Sequence, residues 1–191
     1  YFRVAATNGS GSAPTASIVS FHTLNVPGTP LLVNGTRGDR QVSVSWNPPA
    51  DTGGSPVTGY VVTASNGRTC VTSATPPANP LTSCVIDGLT NGVAYTFSVV
   101  AVSAVGTGPA GTTGSPTTPA GQPIVSTNPA TGISPTGAQL NGSVTANGAT
   151  ATNTFRYSVN SDRSSATSVN ASPGSTGGTA ATTAVLSGLQ P

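Results

Sequence analysis

Side chains able to do chemistry are few in this chain, and they are scattered. Cys70 and Cys84 are its two cysteines, fourteen positions apart on segments expected to be neighbouring strands at a sheet edge. Read as a disulfide, they close a loop over the Pro-rich stretch Thr75–Pro80. Such a bridge contributes about 3 kcal/mol by constraining the unfolded chain. A reactive thiol pair or a metal site would want a short C-x-x-C spacing or a nearby His, and neither is present. Arg37-Gly38-Asp39 spells an integrin-recognition tripeptide. Gly-Asp is also an ordinary turn pair before a strand, and the turn reading is the one adopted. His22, the only histidine, falls opposite Phe21 on a strand and reads as solvated. Asp39, Asp51, Asp87 and Asp162 lie on different loops and strand ends, so no carboxylate pair for acid–base work is expected. A calcium site at Asp51 is explained more simply as turn chemistry. No catalytic residue, cofactor site or metal site is assigned.

Four Asn-x-Ser/Thr sequons stand at Asn8, Asn34, Asn141 and Asn170, each expected at a turn or loop. They are candidate glycosylation sites. Three of the four are Asn-Gly, a pair that also serves turns.

Charge is sparse. The 191 residues hold six Arg, no Lys, four Asp and no Glu, for a net charge of +2. That field is too weak to imply nucleic acid or an anionic membrane as partner. No apolar run approaches a membrane span. No signal peptide or anchor is visible; because the chain opens in mid-strand, such elements would lie outside it or have been removed. Solubility must come from Ser, Thr, Asn and exposed backbone. Together with two cysteines, this suggests an extracellular, secreted or cell-surface protein.

The elements that must position these residues are strands. No amphipathic helical stripe is found, whereas period-two alternation recurs. It is clearest in Gly88–Gly106, GLTNGVAYTFSVVAVSAVG, where Tyr95, Phe97, Val99 and Ala101 share one face. Leu89, a Gly-bearing turn and then Tyr95 opening a strand look like a tyrosine corner, whose phenol bonds back to the turn backbone. Val42, Val44 and Trp46 alternate likewise on Gln41–Asn47. Tyr60 and Val62 sit on Val57–Ser65, Arg68–Ser73 returns after an Asn66-Gly67 turn, and Thr82–Asp87 carries Cys84 and Ile86 inward.

Residues 28–119 resemble a bacterial fibronectin type III domain. The resemblance rests on Trp46 in the second strand, Gly59-Tyr60 after the PPADTGGSP loop, GLTNGVAYTFSV, and VGTGPAG before the last strand. It implies a seven-stranded sandwich of two antiparallel sheets. Members of that family mostly act as spacers or binding modules, so the fold alone fixes no function.

The organising motif occurs a second time, in two pieces. Gly188-Leu189-Gln190-Pro191 matches Gly88-Leu89-Thr90-Asn91, and Tyr1–Gly11 matches Thr96–Gly106, with Phe2, Val4 and Ala6 at the places of Phe97, Val99 and Ala101. Ala184, Leu186 and Leu189 fall at the places of Cys84, Ile86 and Leu89. The expected fold is therefore all-β: tandem immunoglobulin-like sandwiches of the fibronectin type III kind, one complete and one split. Residues 1–24 supply the last two strands of a module as a hairpin whose core is Phe2, Val4, Ala6, Val19 and Phe21. Gly9–Pro14 is its loop. Residues 25–119 form the complete domain, entered through the short Pro-bearing linker Asn25–Pro30. Residues 120–191 hold the first strands of a second, similar module, after the linker Pro119–Pro123, and lack its last two.

An incomplete sandwich leaves strand edges unpaired, which invites pairing with another chain. The expected partners are further copies of this chain, placed head to tail. The hairpin of one copy then completes the module of the next, either between separate subunits or within a covalent tandem array with about four linking residues. The expected function is that of a non-enzymatic extracellular structural repeat in a surface filament or stalk. The alternative is a spacer or binding module of a secreted adhesin or polysaccharide-degrading enzyme. That reading needs a catalytic or lectin-like domain elsewhere and an exposed aromatic platform, which one core Trp and four Tyr do not provide.

Overall fold

A computed structural model describes residues 7–12, 23–76, 78–158 and 164–189. Among these there are fourteen β-strands and no helix, so the all-β expectation holds. Phe2, Val4, Ala6, Val19, Phe21, His22 and Asp162 lie outside the described residues.

At the N-terminal side, β1 (Thr7–Asn8) pairs antiparallel with β2 (Gly11–Ser12). The expected loop from Gly9 to Pro14 is thus shorter than its sequence suggests. The chain reverses within Asn8–Gly11, where Asn8 Oδ1 accepts the Ser10 N–H at 2.8 Å and closes a local turn.

A complete sandwich follows. One sheet has three strands: β3 (Leu31–Arg37), β4 (Gln41–Asn47) and β7 (Ser83–Asp87), with β4 in the middle. The other has four, in the order β6 (Thr69–Ser73), β5 (Val57–Ala64), β8 (Phe97–Ser103), β9 (Gly111–Thr112). All neighbours are antiparallel. The final segment pairs as β9 and then once more through the bridge Thr117–Tyr95. Alternation builds the core from both sheets: Val42, Val44, Trp46 and Ile86 on one side, Tyr60, Val62, Phe97, Val99 and Ala101 on the other, all buried. Trp46 and Tyr60 meet edge-to-face across it, with ring centroids 5.2 Å apart. Burial raises the pKa of the Tyr60 phenol above its ordinary value, so it stays neutral there.

Cys70 and Cys84 form a disulfide with Cα atoms 6.5 Å apart. Its setting differs from the expected pair of adjacent strands. Cys70 is on β6 and Cys84 on β7, which are edge strands of opposite sheets and share no ladder. The bond therefore staples one sheet to the other along their open side.

The two linkers also differ from free tethers. Pro27, Pro30 and Pro119 are fully buried. The Asn25 N–H donates to Gly53 O and the Gly28 N–H to Asp51 O, at 2.9 and 2.8 Å. An apolar ring with a fixed φ packs at little entropic cost, which draws each linker onto the domain it borders.

The second module comprises β10 (Ile124–Ser134), β11 (Gly137–Thr145), β12 (Ala151–Tyr157), β13 (Thr167–Thr176) and β14 (Thr179–Ser187). They run in the order β10-β11-β14-β13-β12. Strand β13 pairs with β12 through Thr167–Asn170 and again through Ser175–Thr176, and touches β14 between them at the single pair Ser172–Thr183. The packed cluster here is small: Val144, Ala146 and Ala151.

Candidate assembly surfaces

The second module reproduces the first as far as it goes. Leu140 faces Ala184 and Ala138 faces Leu186, as Val44 faces Cys84 and Val42 faces Ile86. Gly188 has φ +71° and Gly88 has φ +69°, values open to glycine and strained for other residues. The Leu189 N–H then donates to Thr136 O at 3.0 Å, and the Leu89 N–H to Arg40 O at 2.8 Å. In the first module the chain proceeds from this turn into the tyrosine corner. Tyr95 is buried, and its hydroxyl accepts the Thr90 N–H at 3.1 Å.

The two modules part at the next strands. In the first, β5 is flanked by β6 on one side and β8 on the other, and β9 covers the end of β3 near the buried Val33. In the second, β12 has β13 on one side and no strand on the other among the described residues. Strand β10 is exposed along almost its whole length, with Val125 at 71%. Between β10 and β12 lies a cleft of about 610 Å³, lined by Val125, Val144, Ala151, Asn153, Phe155 and Thr182 among others. Two polar atoms at this cleft, Asn153 Oδ1 and Thr182 Oγ1, are buried without a hydrogen-bond partner. Buried polar groups are rarely left so.

A second surface is the joint between the modules. The side chain of Asn91, in the turn after Leu89, holds three groups: its Nδ2 donates to Asp39 Oδ1 at 2.7 Å and to Asn147 Oδ1 at 2.8 Å, and its Oδ1 accepts the Arg40 N–H at 2.8 Å. Gly92 N–H donates to Pro119 O, Ala120 N–H to Gly38 O and Gly121 N–H to Asn147 O. Asn147 Nδ2 reaches Gln122 O at 3.0 Å. Asn147 and Gly148 turn the chain between β11 and β12, with φ values of +52° and +94°. A Cβ on Gly148 would lie 2.6 Å from Gly92 N, so close approach of the two modules requires glycine there.

This joint absorbs the Arg-Gly-Asp tripeptide. Its backbone forms a turn, with Gly38 N–H donating to Gln41 O, and its carboxylate is engaged by Asn91. Asp51 likewise caps its own turn, its Oδ1 accepting the Gly53 N–H at 2.8 Å. Among the described residues, no group of His, Cys, Asp or Glu is arranged to hold a metal ion.

The sequons are placed differently from expectation. Only Asn8 borders a turn; Asn34 lies within β3, Asn141 within β11 and Asn170 within β13. The glycines after Asn34 and Asn141 serve close packing instead of reversal: a Cβ on Gly142 would stand 2.7 Å from Ser126 O. The Asn141 amide nitrogen is itself committed, donating to Pro129 O at 2.8 Å and Thr131 Oγ1 at 3.1 Å.

The family model described as "Fibronectin type III domain" matches residues 28–117. Residues 28–117 are a fibronectin type III domain. Fibronectin type III domains are generally non-catalytic, so this part of the chain is a structural or binding module. The chain is also similar to a Kelch domain-containing protein of Saccharolobus solfataricus, 34% identical over 106 residues, which is 56% of this chain. It spans 14% of the length of that relative. Among solved structures, a segment of two fibronectin type III domains from chicken tenascin matches with a TM-score of 0.42 and 19% identity, covering 85% of this chain and 84% of that one. Titin domains match with a TM-score of 0.41 and 25% identity, covering 49% of this chain and 32% of that one. No helix among the described residues is long and apolar enough to cross a membrane.

Proposed function

We propose that this chain is a non-enzymatic structural repeat of an extracellular filament or stalk, in which copies follow one another head to tail. The observation that carries the reading is internal repetition: Tyr1–Gly11 matches Thr96–Gly106, Gly188-Leu189 matches Gly88-Leu89, and the pairs Ala138–Leu186 and Leu140–Ala184 stand as Val42–Ile86 and Val44–Cys84 do. Such repetition serves equally whether the copies are subunits exchanging a hairpin or repeats of one covalent array.

The linkers support a stiff rod. One leaves beside the Gln41 end of β4 and the other is pinned at its Asn47 end, so the two run from opposite ends of the domain. Both are held by backbone hydrogen bonds, which favours a semi-rigid spacer over a flexible tether. An inter-sheet disulfide and a surface nearly without charge suit an oxidising, extracellular setting.

The second reading is a spacer in a larger secreted adhesin or enzyme. It draws on the match to a small part of a much longer, Kelch-containing relative. Antibody labelling of the native source separates the two. The structural reading expects labelled surface filaments with a regular axial repeat; label confined to compact soluble particles would remove it.

A further inference from the structure

We infer that Asn91-Gly92 is a site of spontaneous deamidation that the joint between the modules holds in check, and that the carboxylate formed there bars the joint from closing again. The inference concerns the two modules of one chain and does not draw on the assembly reading above.

Glycine after asparagine leaves the backbone nitrogen open to approach, because no Cβ shields it. The Gly92 nitrogen attacks Cγ of Asn91 and closes a five-membered succinimide. The Cγ–Nδ2 bond breaks, and ammonia leaves with the proton of the Gly92 amide. Water then opens one or other imide carbonyl and gives an aspartyl or an isoaspartyl residue. Water is the only co-reactant, and Gly92 is exposed to it. In the closed joint both reacting groups are occupied. The Gly92 N–H donates to Pro119 O at 3.0 Å. Asn91 Nδ2 donates to Asp39 Oδ1 at 2.7 Å and to Asn147 Oδ1 at 2.8 Å, and its Oδ1 accepts the Arg40 N–H at 2.8 Å. Ring closure needs the side chain and the nitrogen free of these partners, so the reaction proceeds in proportion to how often the joint opens.

Conversion matters here because the nitrogen of Asn91 makes the tie. A carboxylate accepts hydrogen bonds and donates none. Replacing the amide therefore sets an oxygen against two acceptors, Asp39 Oδ1 and Asn147 Oδ1. The first is itself charged, and two carboxylates at hydrogen-bond distance repel strongly when both are ionised. The isoaspartyl product also lengthens the backbone by one carbon before Gly92, which shifts its N–H away from Pro119 O. Loss of ammonia makes the change one-way.

The other five Asn-Gly pairs lack this consequence. At Asn8 and Asn66 the amide oxygen accepts the Ser10 N–H and the Arg68 N–H, which a carboxylate does equally well. Asn34 and Asn141 lie within strands, where ladder pairing holds the glycine that follows. Asn147 receives the Asn91 bond on its oxygen, so its conversion would cost the bond to Gln122 O and keep the acceptor that Asn91 needs.

The test is peptide mass mapping of the full chain held at mildly alkaline pH, reading conversion of Asn91 and, as an internal reference, of Asn66. It is run beside Gly148→Ala and Asp39→Ala, which open the joint from outside the reacting pair. Small-angle scattering shows that the joint is open, and Trp46 fluorescence that the first domain stays folded. Conversion of Asn91 is expected to be slower in the intact chain than in the opened variants by about tenfold or more, the effect of the hydrogen bonds that must first break. Asn66 should convert at one rate in all three. Equal rates at Asn91 in the intact chain and the opened variants would overturn the inference, and so would the absence of conversion at Asn91 in all of them. The closing step is read on Asn91→Asp, which should broaden the distribution of inter-module distances. Adding Asp39→Asn returns a donor to face the new carboxylate and should narrow it again. An unchanged distribution in Asn91→Asp, or one that Asp39→Asn fails to narrow, would equally overturn it.

Discussion

Asn91 and Asn147 meet across the joint between the two modules, amide to amide at 2.8 Å, with the Asp39 carboxylate on the same Asn91 nitrogen. One short side chain thus ties the tyrosine-corner turn of the first domain to the β11–β12 turn of the second module and to the Arg37–Arg40 corner. Asn91→Ala removes all three bonds while leaving each hydrophobic core untouched. The chain should keep its thermal unfolding midpoint within a few degrees and lose its fixed inter-module angle. Small-angle scattering should show a broader spread of end-to-end distances. An unchanged distance distribution would mean that the backbone bonds from Gly92 and Gly121 suffice alone.

The Arg-Gly-Asp tripeptide should be inert toward cells. Asp39 is held by Asn91, and Gly38 carries backbone bonds on both its N–H and its carbonyl. Asp39→Ala is expected to loosen the joint, as Asn91→Ala does, and to leave attachment of integrin-bearing cells at the level of an uncoated surface. Attachment that depends on Asp39 would contradict this.

Reducing the Cys70–Cys84 bond should destabilise the first domain by about 3 kcal/mol, the amount set by a loop of this length. The bond spans two sheets, so its loss should also speed exchange of β6 and β7 before that of β5 and β8. Urea unfolding followed by Trp46 fluorescence, with and without reductant, measures the first effect. Coincident curves would show the bond to be energetically idle.

Tyr95→Phe keeps the buried ring and leaves the Thr90 N–H without its acceptor. The expected cost is about 1 kcal/mol, with the core otherwise intact. Urea unfolding of the variant measures it. A neutral substitution would mean that water replaces the hydroxyl at this corner.

The strands of the first domain were legible because burial on one face imposes a two-residue period. Val42, Val44 and Trp46, and Phe97, Val99 and Ala101, carry that period directly. Asn-Gly pairs misled for a related reason. At Asn66 and Asn147 the pair does turn the chain, but at Asn34 and Asn141 the same pair lies in a strand, where glycine admits a neighbouring backbone or side chain. Local composition cannot distinguish the two uses. The placing of Cys70 and Cys84 on opposite sheets depends on how β6 and β7 fold past each other, which spacing does not record. The joint was least legible. It assembles Asp39, Asn91, Pro119 and Asn147 from four separate turns and linkers, and each residue taken alone reads as ordinary turn chemistry.

The most direct test of the repeat reading is the intact mass of the native material under denaturing, reducing conditions, together with peptide sequencing across it. The account predicts these peptides many times over in one very long chain, or subunits near 18.5 kDa recovered from a dissociated polymer. A chain that contains this sequence once, beside a catalytic or sugar-binding domain, would contradict it.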